Sequence, residues 1–161
     1  MTTKQKRSMA ESLLRRAYKN HMDGNIAAAI KEYKSSIELH PSPRAYTYLG
    51  WAYSIQGKYE EAIEQCLIAI EIDPEFGNPY NDIGSYLINL GRHDEAVEWL
   101  EKAIDAPVYE PRHFPFYNLG IVYERKGEWD VALGYYNNAI ELAPEYEPAR
   151  NALFKMISLL N

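Results

Sequence analysis

LGWAYSIQGKYEEAI, residues 49–63, has two close copies further along the chain, IGSYLINLGRHDEAV at 83–97 and LGIVYERKGEWDVAL at 119–133. A fourth, weaker copy precedes them, and two small-residue columns set the spacing. The first column holds Ala17, Gly50, Gly84 and Gly120, at intervals of 33, 34 and 36 residues. The second column holds Gly24, Gly57, Gly91 and Gly127, at the same three intervals. Since the columns agree on unequal spacings, the sequence predicts a tandem array of four units.

Each unit has two halves with helical periodicity, separated by its second glycine. In the second unit the apolar stripes are Tyr46, Leu49, Gly50 and Tyr53, followed by Tyr59, Ala62, Ile63, Cys66 and Ile70. Gly57 lies between them, where a helix end favours a left-handed residue. Pro41, Pro74 and Pro144 follow the second halves and exclude further helix. Each unit is therefore predicted to be helix, tight turn, helix.

Small residues recur where the two helices of a unit would touch. They are Gly50, Gly84 and Gly120 on the first helices and Ala62, Ala96 and Ala132 on the second. One such hairpin cannot bury its own apolar face, so the copies are expected to stack into a continuous core.

This pattern of aromatic, small, glycine, alanine and proline positions resembles the tetratricopeptide repeat family. The likeness covers about residues 10–146. It implies an all-α, right-handed superhelical solenoid in one domain, residues 1–161, with a closing helix at about 147–160. The repeats would span about 10–42, 43–76, 77–112 and 113–146. What members of the family share functionally is only that they bind other proteins, so the likeness implies a binding module.

The third unit departs from the pattern, because DAPVYEPRHFPF at residues 105–116 lengthens its interval to 36 residues. Three prolines at 107, 111 and 115 disfavour helical turns between them. We therefore predict a protruding loop that a protease cuts first near Arg112.

Composition and charge narrow the classes of partner. The net charge is −6 and the pI about 5.3, which disfavours nucleic acid and anionic membranes as partners. The single cysteine rules out an internal disulfide. No signal peptide or long apolar stretch is visible, so the sequence predicts a cytoplasmic protein.

Motifs for catalysis, nucleotides or zinc are absent from the sequence. The four histidines lie far apart in it, and Cys66 occupies a column filled elsewhere by Leu100 and Tyr136, which favours a core position. The sequence therefore predicts a non-enzyme that needs no cofactor and no metal.

The resemblance implies a concave groove lined by the first helix of each unit. The candidate peptide-binding residues on those helices are Tyr18, Thr47, Tyr48, Trp51, Asn78, Asn81, Asp82, Ser85, Phe114, Tyr117, Asn118 and Ile121. The same concave surface would also include Arg15, Asn151 and Lys155. Aromatic rings would supply apolar contact and the carboxamides would bond an extended backbone.

Family members that bind the acidic tails of heat-shock chaperones carry Lys, Arg and Asn on the inner face of three successive first helices. The matching columns here hold Leu14, Tyr18, Tyr48, Asn78 and Asp82, or, one unit later, Thr47, Trp51, Asp82, Phe114 and Asn118. This clamp is absent, so an acidic chaperone tail is not the expected partner.

Two functions remain open from the sequence. The first is an adaptor that binds an extended segment of a partner protein. The second is a self-associating scaffold that forms a homo-oligomer through its terminal helix, whose apolar positions include Ile157, Leu159 and Leu160.

Overall fold

The computed structural model describes all 161 residues, and they form nine α-helices with no β-strand. The helices are α1 Thr3–Met22, α2 Ile26–Leu39, α3 Pro43–Ile55, α4 Tyr59–Ile72, α5 Asn78–Asn89, α6 His93–Asp105, α7 His113–Arg125, α8 Trp129–Leu142 and α9 Glu147–Leu160. Helices α1 to α8 pack as four successive hairpins, and α9 packs on α8. Beyond its hairpin partner, each helix contacts mainly the neighbouring hairpin. The predicted all-α solenoid of four hairpins with a closing helix is confirmed.

The turn inside each hairpin depends on one glycine. Gly24, Gly57, Gly91 and Gly127 have φ between 75° and 84°, a region that side chains with a Cβ rarely enter. At Gly57 the following amide, Lys58 N–H, donates back to the Tyr53 carbonyl at 3.0 Å and closes the end of α3. The glycine column therefore sets where every first helix ends.

The seam between the two helices of a hairpin depends on the other small residues. A Cβ added at Gly50 would lie 2.9 Å from the Ala62 carbonyl oxygen, and one at Gly84 would lie 2.5 Å from Leu100 Cδ2. Ala62 is fully buried, as are Leu100 and Cys66, which occupy one column of the second helices. The predicted close approach and the core position of Cys66 are confirmed.

Helix α1 is longer than the sequence repeat indicates. It starts at Thr3, seven residues before the predicted start of the first unit at residue 10. The reason is a capping box, in which Gln5 N–H donates to Thr2 Oγ1 and Thr2 N–H donates to Gln5 Oε1. Comparison between repeats missed this start, because no other unit has a counterpart to it.

The prediction of a protruding loop at 105–116 is wrong. The non-helical part is only 106–112, and it lies along the preceding linker: Val108 N–H donates to the Glu75 carbonyl and Gly77 N–H to the Val108 carbonyl. Tyr109 is only 4% exposed. Pro115 falls in the first turn of α7, where a missing N–H costs no helical hydrogen bond. Pro107 and Pro111 lie in the non-helical segment, as predicted, but they did not force the chain away from the core.

Arg112 holds this segment to the end of α6. Its guanidinium donates to the carbonyls of Ile104 and Ala106, both near the end of that helix, where the last carbonyls lack intrahelical partners. Early proteolysis at Arg112 is therefore no longer expected.

Helix α9 closes the array with one buried face. Ala149 and Met156 are fully buried, whereas Phe154 is 64% and Leu159 is 62% exposed. No helix in the chain has the length and apolar character needed to cross a bilayer.

Candidate functional site

The first helices of the hairpins line one groove with a volume of about 710 Å³. Its residues come from α1, α3, α5 and α7, with single contributions from α4 and from the linker before α9. They are Tyr18, Thr47, Tyr48, Trp51, Ser54, Ile55, Tyr59, Asn78, Asn81, Asp82, Ser85, Tyr86, Asn89, Phe114, Tyr117, Asn118 and Tyr146. We call this surface the central groove.

One wall of the central groove is a cluster of aromatic rings from α1 and α3. The ring of Tyr18 lies 5.4 Å from that of Tyr48 and 6.4 Å from that of Trp51, measured between centroids. Behind Trp51, the His21 imidazole lies 4.0 Å away and bonds to the Tyr33 hydroxyl through Nδ1 at 3.1 Å. Burial lowers the pKa of His21, so the ring supporting Trp51 is neutral near pH 7.

A second aromatic wall faces it from the C-terminal side. Tyr146, in the linker before α9, meets Phe114 edge-on at 5.5 Å and Tyr117 edge-on at 5.3 Å between centroids. These are the offset geometries that aromatic pairs prefer. The central groove is thus bounded at both ends by preformed aromatic clusters.

The floor between the walls is polar and comes mainly from α5. Asn118 Nδ2 on α7 donates to Asn81 Oδ1 on α5 at 2.9 Å, which joins two successive hairpins. Asn81 is only 7% exposed, so this bond is shielded from water. Because each carboxamide has further donor and acceptor positions, the pair can still bond a ligand.

Asp82 is the one carboxyl group in the lining, and no lysine or arginine lines the central groove. Burial raises its pKa from an ordinary 3.8 to about 7, although the neighbouring Asn81 side chain acts in the opposite direction. None of the ion pairs in the chain includes Asp82. The floor therefore holds a carboxyl group without a cationic partner.

Eleven of the twelve predicted groove residues line the central groove. The exception is Ile121, which packs against the core and was assigned to the groove wrongly. The prediction placed it one helical turn after Tyr117, but there it packs against the core clusters that contain Leu119 and Met156 and does not reach the lining. Thr47 reaches the groove but is almost fully buried, and its hydroxyl donates to the Pro43 carbonyl.

The other three residues predicted on the concave surface lie outside the central groove. Arg15 borders an adjoining recess with Tyr18 and Tyr48. Asn151 is exposed on α9, and the Lys155 Nζ lies 3.9 Å from Glu124 Oε1. The terminal helix therefore adds none of its own side chains to the lining.

Sequence reasoning missed six lining residues: Ser54, Ile55, Tyr59, Tyr86, Asn89 and Tyr146. Ser54 and Ile55 lie one helical turn after Trp51, and Asn89 lies one turn after Ser85, so a longer stripe would have found them. Tyr146 had no such signal, because it belongs to a linker whose path depends on tertiary packing.

Comparison with known proteins agrees with this architecture. Sequence profiles of the tetratricopeptide repeat match residues 43–76 and 75–145, together more than half of the chain. The small glutamine-rich tetratricopeptide repeat-containing protein 2 of Mycosarcoma maydis is 36% identical over 97 residues, or 60% of this chain and 28% of that protein. The match thus spans less than a third of this relative's length.

Two solved structures show the same fold. PilF of Pseudomonas aeruginosa superposes with a TM-score of 0.88 at 19% identity, over 96% of this chain and 70% of that chain. YrrB, described as a TPR protein with an unusual peptide-binding site, superposes with a TM-score of 0.66 at 20% identity, over 91% of this chain and 75% of that chain.

Proposed function

Because this chain belongs to the tetratricopeptide repeat family, we propose that it is a non-catalytic adaptor module that binds an extended segment of a partner protein in the central groove. The observation that carries the proposal is the pair of preformed aromatic walls on either side of a polar floor. The walls present ring surface to an open groove of the concave side, which is not filled by the chain itself.

An extended peptide suits this arrangement chemically. Tyrosine and tryptophan provide large contact areas with few rotatable bonds, which is why such residues dominate binding energy at interfaces. Asn78, Asn81 and Asn118 on the floor carry carboxamides, and a carboxamide can bond both the N–H and the C=O of a passing backbone. The peptide would therefore place apolar side chains on the walls and its backbone over α5.

The lining also argues against an acidic ligand. A clamp for a terminal carboxylate needs basic side chains, and the lining has none. An anionic tail would in addition meet Asp82 in the middle of the groove. The proposed partner is thus a neutral or basic segment and not the acidic tail of a chaperone.

The test uses a displayed library of random peptides of roughly ten residues, about 33 Å when extended. Peptides selected on the natural chain are synthesised, and their Kd values are measured by calorimetry. We expect Trp51→Ala to weaken them by about 30-fold, or ~2 kcal/mol, because it removes a central aromatic contact. Phe114→Ala, at the opposite wall, should weaken them too.

Glu98→Ala is the control, since Glu98 is exposed on α6 away from the lining. Far-UV circular dichroism of each variant checks that helicity is retained, which matters because Trp51 also packs on His21. If both folded wall variants bind the selected peptides as tightly as Glu98→Ala does, the central groove is not the binding site.

A second candidate function is self-association through α9. The helix exposes four large apolar side chains that a partner could bury: Phe154, Ile157, Leu159 and Leu160. The occupant would be a second copy of the chain. Light scattering should then give a mass above 18.6 kDa that falls to the monomer value for Phe154→Ser. A monomeric natural chain at high concentration would remove this candidate.

A further inference from the structure

The position of Asp82 bears on which segment the central groove would bind. It lies on α5, one of the two inner helices of the four that form the groove, between the aromatic walls. A ligand that touches both walls must pass over it. Its carboxyl group is only partly exposed, so it is shielded from much of the water that would otherwise stabilise its charge.

Four ionisable groups from the surrounding elements have pKa values that the Asp82 charge raises, and all four are neutral at pH 7. These groups are Tyr48 on α3, Cys66 on α4, Tyr86 on α5 and Tyr109 in the 106–112 segment. Burial raises the pKa of each of these side chains, so none ionises near pH 7. No basic side chain acts on the pKa of Asp82.

A carboxyl group in such a setting is costly unless something outside the chain compensates it. Buried or partly buried charges in folded proteins are normally paired, since an unpaired one loses solvation and gains nothing. The Asn81 carboxamide beside Asp82 favours the ionised form, but it is neutral and does not compensate the charge. The missing component is a cation, and the side of Asp82 that is open to a cation is the groove.

We propose that the segment bound in the central groove carries a lysine or arginine whose charged group pairs with Asp82 between the two aromatic walls. This inference rests on the proposed function of the groove. A side chain is the proposed source of the charge, because successive side chains of an extended segment point in opposite directions, so one of them can reach Asp82 while the backbone crosses α5. Tyr48, which lies near Asp82 and lines the central groove, is an aromatic residue of the kind that also attracts cations.

Pairing with a cation has a measurable proton signature. With a pKa of about 7 in the empty groove, the carboxyl group is roughly half protonated at pH 7. A bound cation favours the ionised form, so binding should release roughly half a proton at that pH. Calorimetry at pH 7 in two buffers of different ionisation enthalpy measures this release directly.

The experiment compares peptide selection on three proteins: the natural chain, Asp82→Asn and the matched control Glu98→Gln. The natural chain and the control should enrich Lys or Arg at one fixed distance from an aromatic or apolar residue, and Asp82→Asn should not. For a selected, N-acetylated peptide, Lys replaced by norleucine should bind the natural chain about tenfold or more weakly. On Asp82→Asn the two peptides should bind alike.

The outcomes separate this inference from the proposed function. If the selected peptides depend on Trp51 and Phe114 but share no basic position, the inference is wrong and groove binding still holds. The same conclusion follows if replacing Lys by norleucine weakens binding equally to the natural chain and to Asp82→Asn. Loss of binding on N-acetylation alone would assign the cation to a free N-terminus and would also overturn it. If neither Trp51→Ala nor Phe114→Ala changes the affinity of the selected peptides, both the proposed groove binding and this inference are wrong.

Discussion

The two faces of α5 differ in what they do for the protein. On one face Ile83, Gly84 and Leu87 are buried in the core, and Gly84 lies so close to Leu100 on α6 that a Cβ would overlap it. On the other face Asp82 and Ser85 line the central groove. The first face stabilises the hairpin by close packing, whereas the second places a poorly solvated carboxyl group where it costs stability. Polar groups that weaken the fold in this way are typical of binding sites.

The largest expected effect is on the groove face, where Asp82→Asn should stabilise the ligand-free protein. The folded-state pKa of Asp82, about 7, lies above its ordinary 3.8, so the folded state binds the proton more tightly. The resulting stabilisation is complete below about pH 4 and is lost as pH rises to about 7. At roughly 1.4 kcal/mol per pKa unit, the advantage of Asp82→Asn should reach up to about 4 kcal/mol above pH 7.

Urea unfolding between pH 4 and pH 8 measures this difference, and all other carboxylates cancel between the two proteins. Glu98→Gln removes the same charge at an exposed position and should follow the natural chain. A difference between Asp82→Asn and the natural chain that does not change with pH would mean that Asp82 is solvated or paired in the folded protein.

The second-largest effect is expected on the buried face of α5, which packs on α6. A substitution there should lower the stability of the protein. Gly84→Leu introduces a side chain where Leu100 Cδ2 already lies 2.5 Å from the position of a Cβ. Overpacking of this kind costs about 1–3 kcal/mol. Thermal unfolding followed by circular dichroism should show the loss of stability.

Asn89→Leu provides the matched control, because it adds the same side chain at an exposed position on α5. Exposed substitutions usually change stability by less than about 0.5 kcal/mol. If Gly84→Leu melts at the same temperature as Asn89→Leu, the hairpin accommodates the larger side chain without losing stability. Close packing at Gly84 would then not distinguish the two faces of α5.

These two faces also explain how much could be predicted from the sequence. The seam was predictable because packing imposes a small residue in each unit: in the last three units Gly50, Gly84 and Gly120 can have no Cβ without a clash. Because the same packing constraint recurs in every unit, it can be recognised within a single sequence. The groove face carries no such constraint, since Trp51, Asp82 and Tyr117 face the groove from three different units with three different chemistries.

Which side chains lie on the groove face was therefore largely predictable, but their hydrogen bonds and pKa values were not. The sequence placed Asn81 and Asn118 in the groove, yet it could not show that they bond each other across two hairpins. It placed Asp82 there without revealing its raised pKa, which depends on burial by residues from several elements. The prediction that the 106–112 segment protrudes was wrong for the same reason. Its position depends on a distant contact, because Val108 pairs with residues of a linker about 30 positions earlier.

The smallest expected effect tests the one hydrogen bond that joins the groove faces of α5 and α7. Asn118→Ala leaves the shielded Asn81 Oδ1 without its donor, which should cost about 1 kcal/mol of unfolding free energy. Asn81→Ala should cost a similar amount, and the double variant should cost less than the sum of the two. Asn151→Ala, an exposed asparagine on α9, should leave stability unchanged. Additive losses in the double variant would mean that the two carboxamides act separately, and the floor would then offer both to a peptide from the start.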